Sequence, residues 1–515
     1  MASWKLCTFL LASVLFVLVT ESEGRRRRGP RQPETGLGNA QGEQGGEEDQ
    51  SNNGGRPWRR RGGGGGGGRR RGGGGGGGRR RGGGGRGGGR RGGGGGGGGN
   101  PGRRGQRMPN GRRLAACLLG GRRLGCPTGQ DGDLMEQHRA NILHSLSTSV
   151  DTFSLDMYQE MASRSQDNFV FSPFGVYSAM TMVKLGASGR TNRQLAARLH
   201  MSRGVHQAMG LYLSSLPQEG DGNSTLSLAN AIFVRPGFTY NPAYANRLRM
   251  FYNTTGQEIE AVDPEDSINA WVESETQGEI SEFLEPGSID ASTVIMLVNA
   301  IYFRGLWQTP FDADYTSPTT FHVSDSETAI VDMMSHTGRY TIRRSAVLGA
   351  DVLELPYAGD RFVMYLLRPA PGTALDLVIS RLSPQTWNET INGDVSTSRC
   401  TVKVPKFALD TSQSMKEILQ SLGITRAFDP AAAKFRTMTR ARDVYINEVE
   451  HRSVIELDEE GTVAAAATGV QIATLSLPPE FILDRPFMFL LRDKVQGINL
   501  FAGRYANPNG ENLAM

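Results

Sequence analysis

Between Arg25 and Gln130 the sequence has no lysine, one aromatic residue (Trp58) and five acids, Glu34, Glu43, Glu47, Glu48 and Asp49. A stretch this poor in apolar side chains cannot bury a core, and one ring offers bases little to stack on. Long apolar runs are also scarce. The longest, Leu6 to Val19, falls short of the ~20 residues a membrane span needs and is followed by Glu21 and Glu23. With Lys5 before it and the small residues Ser22 and Gly24 after it, residues 1–24 read as a secretory signal peptide. That predicts a secreted, extracellular protein with no membrane association. Cysteine is rare: Cys7 would leave with the signal, and Cys117, Cys126 and Cys400 remain. None has CxxC or Cys/His spacing, so no metal site is expected. Three thiols cannot all pair within one chain, which leaves two arrangements: a Cys117–Cys126 loop with Cys400 free, or a bridge from Cys400 to the tail. Catalytic motifs are missing too. There is no GxSxG, no HExxH and no phosphate loop ending in GK[ST], and the seven histidines are scattered. The sequence therefore reads as that of no enzyme, with no cofactor.

What fills the first quarter is glycine and arginine. Three arginines and seven glycines repeat every ten residues, beginning at Arg59, Arg60 and Arg61, again at Arg69, Arg70 and Arg71, and restarting at Arg79, Arg80 and Arg81. Twenty-five arginines against five acids give residues 25–130 a charge of about +20, and since the whole chain carries only +5, the remainder is near −14. A disordered basic tail on an acidic body is the expectation, with the tail spanning residues 25–135. Arginines on such a chain can displace counterions from a polyanion. Export argues for heparin or heparan sulfate, acting as an accelerating polyanion, over nucleic acid. A flexible chain of about 100 residues spreads over about 55 Å, enough to hold a polyanion beside a site on the body. Asn223, Asn253 and Asn388 open N-x-[ST] triplets and read as glycosylation sites.

Ordinary patterning begins after residue 135. Val150, Phe153, Met157 and Met161 recur at spacings of three and four, which predicts an amphipathic helix. In "NFVFSPFGVYSAMTMVKLGASGRTNRQL" a short apolar strand breaks at Ser172-Pro173, a helix start, and the helix runs to about Gly186. "LSLANAIFV", "VIMLVNAIYF", "VLELPYA", "RFVMYLLRP", "TVKVPKFAL" and "PFMFLLRD" read as strands. Helices lie among the strands early and strands dominate later, an α+β pattern. One segment fits neither type well: "ELDEEGTVAAAATGVQIATLSLPPEF", from Glu456, has four alanines set among Thr462, Val463, Thr468 and Val470.

From about Asp151 to Pro508 the chain resembles the serpin family. The resemblance rests on Asn168 with "FSPFGVYSAM" and "LGASGRT", on "INAWVESETQGEI", "VNAIYFRGLWQTPF", "VDMMSHTGRY", "LELPY", "VKVPKF" with "LGITRAF", "VEHRSVIELDEEGTVAAAA", and "DRPFMFLLRD" with "LFAGRYANP". It implies an α+β domain over residues 136–508, followed by a short tail at 509–515, with about nine helices, three sheets and an exposed reactive-centre loop. It further implies a monomer that traps a serine protease partner as an acyl-enzyme when the cut loop inserts as a strand. By motif, Glu459, Gly461, Thr462, Ala464, Ala465, Ala466 and Ala467 would be the hinge. Ser172, Asn299 and His451 would be the shutter beneath the opening sheet, and Trp307 the point where insertion begins. Gly175 departs from the many serpins that carry a second shutter serine there. The antitrypsin-like frame sets the reactive bond at Leu475–Ser476, which favours a chymotrypsin-like target. Two alternatives stand beside it: a thrombin-type inhibitor assisted by glycosaminoglycan, and a non-inhibitory hormone carrier or peptide precursor.

Overall fold

A computed structural model of the chain describes residues 130–216, 224–393, 395–461 and 478–510. Helix α1 (Gln130–Arg164) comes first, and its Val150, Phe153, Met157 and Met161 are all buried, as the periodicity requires. It begins six residues ahead of the boundary expected at 136. Strand β1 (Phe169–Phe171) leads to Ser172, which stays extended and caps helix α2 (Pro173–Gly186). Ser172 Oγ accepts the Gly175 N–H, and Pro173 sits in the first turn, where a missing N–H costs nothing. Every residue of α2 except Lys184 is buried. Then come α3 (Gly189–Arg198), α4 (Val205–Leu213), β2 (Ser224–Val234), α5 (Pro242–Tyr252), β3 (Gln257–Glu258), α6 (Pro264–Glu275) and β4 (Ile295–Gly305). Strands dominate the rest: β5 (Ser317–His322), β6 (Thr328–Ser345), β7 (Ala350–Pro356), β8 (Phe362–Pro369), then helices α7 (Leu375–Arg381) and α8 (Pro384–Asn392). The last elements are β9 (Ser396–Pro405), β10 (Phe407–Ser414), α9 (Lys416–Ser421), β11 (Glu448–Leu457), β12 (Glu480–Ile482), β13 (Phe487–Asp493) and β14 (Ile498–Tyr505).

Among the described residues these strands form two ladders. One has five strands in the order β10-β11-β4-β2-β3. The other runs β1-β14-β13-β8-β7-β6-β9-β12, with β5 also on β6. The two smaller sheets that the resemblance implies are joined here through β6, whose 18 residues pair with β5, then β9, then β7. Both faces of the five-stranded sheet are covered. On one, Ile268 and Val272 of α6 pack on Ala229, Ala231, Phe233, Val298, Ala300 and Tyr302. On the other, Ile232, Leu297, Ile301 and Phe303 join the main core with α2. Double coverage is why "VIMLVNAIYF" is apolar, Asn299 apart, instead of alternating. Each buried Val, Ile, Leu, Met or Phe among them contributes ~1.5–3 kcal/mol by leaving water.

Candidate functional site

In the middle of the five-stranded sheet β4 and β11 run parallel, Met296–Phe303 against Glu448–Ile455. Their neighbours β2 and β10 are antiparallel to them. This is the one parallel seam between long strands of that sheet, and it sets Asn299 opposite His451. The loop turning from β1 into α2 brings Ser172 beneath the pair. Its backbone N–H donates to His451 Nε2 at 2.9 Å, and its hydroxyl donates to the Leu500 carbonyl at 2.6 Å. Because a backbone amide can only donate, Nε2 must be an acceptor, and the ring proton lies on Nδ1, which donates to Asn299 Oδ1 at 2.6 Å. Complete burial pulls the His451 pKa down to about 3, so the ring is neutral.

The structure thus brings Ser172, Asn299 and His451 together and adds two residues that sequence reasoning missed. Ser453 Oγ lies 2.8 Å from His451 Nε2, two residues along the same face of β11. Asn230, directly across the β2–β4 ladder, accepts from Asn299 Nδ2 at 2.7 Å. Ser453 sits inside the "VEHRSVIELDEEGTVAAAA" motif, two residues after His451, where strand alternation was the available signal, whereas Asn230 lies in no motif and only the register reveals it. Gly175 also acquires a reason: a Cβ there would collide with the Asn299 amide. The glycine lets that amide close on the helix, and Asn230 and Ser453 supply the additional hydrogen bonds.

Trp307 stands apart from this group, at the end of the seam where β11 finishes. Its indole stacks on Tyr357 with centroids 4.3 Å apart, and Nε1 donates to the Asp458 carbonyl at 2.9 Å. The Trp307 and Phe311 amides donate to the carbonyls of Glu460 and Glu459. Glu459 is anchored by its side chain as well, to Thr316 Oγ1 and Lys406 Nζ, both at 2.8 Å. Burial alone would push this carboxyl up, but the hydrogen bonds from Lys406 and Thr316 outweigh it and the net shift is downward. Gly461 has φ +63, and a Cβ there would lie 2.5 Å from the Gly305 carbonyl and the Trp307 amide. Thr462, Ala464, Ala465, Ala466, Ala467, Leu475 and Ser476 lie outside the described residues. So do Asn223, Cys117, Cys126 and the tail arginines Arg59, Arg60, Arg61, Arg69, Arg70, Arg71, Arg79, Arg80 and Arg81. Asn253 and Asn388 are exposed, Asn253 in a left-handed turn at the end of α5 and Asn388 within α8. Cys400 is buried and, among the described residues, a free thiol.

A family model described as Serpin (serine protease inhibitor) matches residues 148–508. Serpin B11 of Homo sapiens is 32% identical over 391 residues, covering 71% of this chain and 100% of that protein. Glia-derived nexin of Rattus norvegicus is 33% identical over 359 residues, 68% of this chain and 90% of that one. Among solved structures, protease nexin-1 with heparin superposes with a TM-score of 0.65 at 31% identity, over 71% of this chain and 100% of that one. The match also corrects one reading. Missing motifs alone made the sequence that of no enzyme; what the match supports is an inhibitor of serine proteases.

Proposed function

From the premise that the chain belongs to the serpins and is a serine protease inhibitor, we propose that it is a secreted suicide substrate for chymotrypsin-like enzymes. The protease serine attacks the Leu475 carbonyl carbon, the Ser476 amine departs with a proton, and an ester links Leu475 to the enzyme. Before water cleaves that ester, the chain from Thr462 onward enters between β4 and β11. The observation that carries this reading is the parallel seam, with β11 ending beside Trp307 at one end of it. A strand folding back from Gly461 runs antiparallel to both neighbours, replacing the weaker parallel pairing with two antiparallel ladders. Thr462, Ala464, Ala466, Thr468, Val470 and Ile472 would share one face of it, and each is small or suited to a strand.

Between Glu460 and Glu480 there is no Arg or Lys, so Leu475 would fill an apolar primary pocket. The exposed Asn253 and Asn388 leave room for glycans. The arginine–glycine tail serves as a polyanion tether that raises the local concentration of basic proteases. Incubation with chymotrypsin followed by a denaturing gel tests the core of this reading. A covalent complex is expected, and Leu475→Arg should move it from chymotrypsin to trypsin; clean cleavage without complex would refute inhibition by trapping.

A further inference from the structure

We infer that the folded body carries its own binding surface for a sulfated polysaccharide, built from α3 and the segment 425–442, independent of the tail and of the inhibitory mechanism. From Lys184 to Leu216 the sequence holds five Lys and Arg and no Asp or Glu, and from Ile424 to Arg442 it holds five more against Asp429 alone. The net charge near −14 outside the tail conceals this, because the cations sit in two segments some 220 residues apart and become neighbours only in the fold.

Hydrogen bonds fix that neighbourhood. Ser188 donates its N–H to the Lys434 carbonyl at 2.8 Å, and Lys434 donates its own to Thr191 Oγ1 at 3.2 Å. Gln194 bonds both Arg426 N–H and Thr425 Oγ1. Met438 N–H reaches the Gly186 carbonyl. Thr191 and Leu195 turn α3's other side into the core, leaving Arg190, Arg193 and Arg198 exposed along about 12 Å of helix. Lys434, Arg436 and Arg440 are exposed on the segment docked beside them. Arg426 is turned inward to the Ala432 carbonyl and helps hold the segment in shape.

Several guanidinium groups elsewhere on the body are matched, as in Arg343–Glu354, Arg361–Asp493 and Arg492–Asp151. Among the described residues none of these six exposed cations, nor the exposed Arg442, has a carboxylate within salt-bridge distance. Asp429 is occupied by the N–H groups of Ala431 and Ala432. Fixed cations left unmatched in this way gather counterions that a linear polyanion displaces. Sulfate suits the surface better than nucleic acid, because the segment's aromatic rings, Phe428 and Phe435, are buried and offer bases no platform.

The test uses immobilised heparin and four proteins: the full chain, the chain lacking residues 25–125, and each of these with Arg190→Ser, Arg193→Ser, Arg436→Ser and Arg440→Ser. The shortened chain should still bind at low salt. The four substitutions should weaken its binding tenfold or more and lower its log affinity–log salt slope by roughly 3, counting somewhat under one per charge removed. All four side chains are exposed, so the melting temperature should not move. Removing the same charge through Arg304, Arg339, Arg344 and Arg399 should cost far less. No retention of the shortened chain, or equal losses from both sets, overturns the inference, as does double-stranded DNA outcompeting heparin. A failed tail tether would show instead as heparin acceleration unchanged by the 25–125 deletion, which leaves this surface untouched.

Discussion

The neutral ring of His451 holds β11, β4 and the start of α2 together through three partners, and neutrality is what makes this possible. Its folded pKa, about 3, lies below the ordinary value near 6.5, so the unfolded chain takes up a proton first as pH falls. Stability from this group is therefore whole above pH ~6.5 and is lost as pH drops through the window down to 3, by about 2 kcal/mol at pH 5. Glu450, one residue earlier, acts in the opposite sense, because burial pushes its carboxyl up to about 7. Only a difference isolates the histidine: the stability gap between the protein and His451→Gln, measured by urea unfolding, should shrink by about 2 kcal/mol from pH 7 to pH 5. A constant gap would mean the ring takes up its proton equally readily in the folded and the unfolded chain, and a widening one that the fold favours the protonated ring. Gly175→Ala makes a second residue-scale case. The Asn299 amide is held on one side by His451 and on the other by Asn230, so it cannot yield to a new Cβ, and the substitution should cost about 1–3 kcal/mol in the same assay.

At the scale of elements, the hinge decides between inhibitor and substrate. A charge at Thr462→Arg or Ala466→Glu would have to be buried as the strand enters, at several kcal/mol, while deacylation proceeds unhindered. Both variants should be cut by chymotrypsin with little covalent complex on the gel; undiminished complex would defeat the insertion reading. How legible were these elements? Helix α2 was, because Ser172-Pro173 and a buried run of small and apolar residues agree locally, and β4 was, because both faces are covered. Strand β6 was not. Its "TAIVDMMSHTGRYTIRRS" alternates at first and then turns polar, since its second half is only partly covered. The site divides in the same way. Glu459 carried a motif, but its anchors Lys406 and Thr316 lie 53 and 143 residues away, and no local pattern connects them.

Across the whole molecule, charge is segregated twice, once between tail and body and again within the body. Deleting residues 25–125 should leave the rate of chymotrypsin inhibition without heparin nearly unchanged, remove most of its acceleration by heparin, and flatten its salt dependence. Stopped-flow inhibition with and without heparin checks this, and undiminished acceleration would end the tether proposal. The order in which the chain visits the two ladders carries a further consequence. The chain's last strand in the five-stranded sheet is β11, and its next strand, β12, lies on the edge of the nine-stranded one. A break at Leu475–Ser476 would detach the last forty residues covalently, yet that piece includes β13 and β14, wedged between β8 and β1 and buried along their whole lengths. The nick would divide the chain without dividing the particle: a native gel would show one species, and the small fragment would come free only in denaturant.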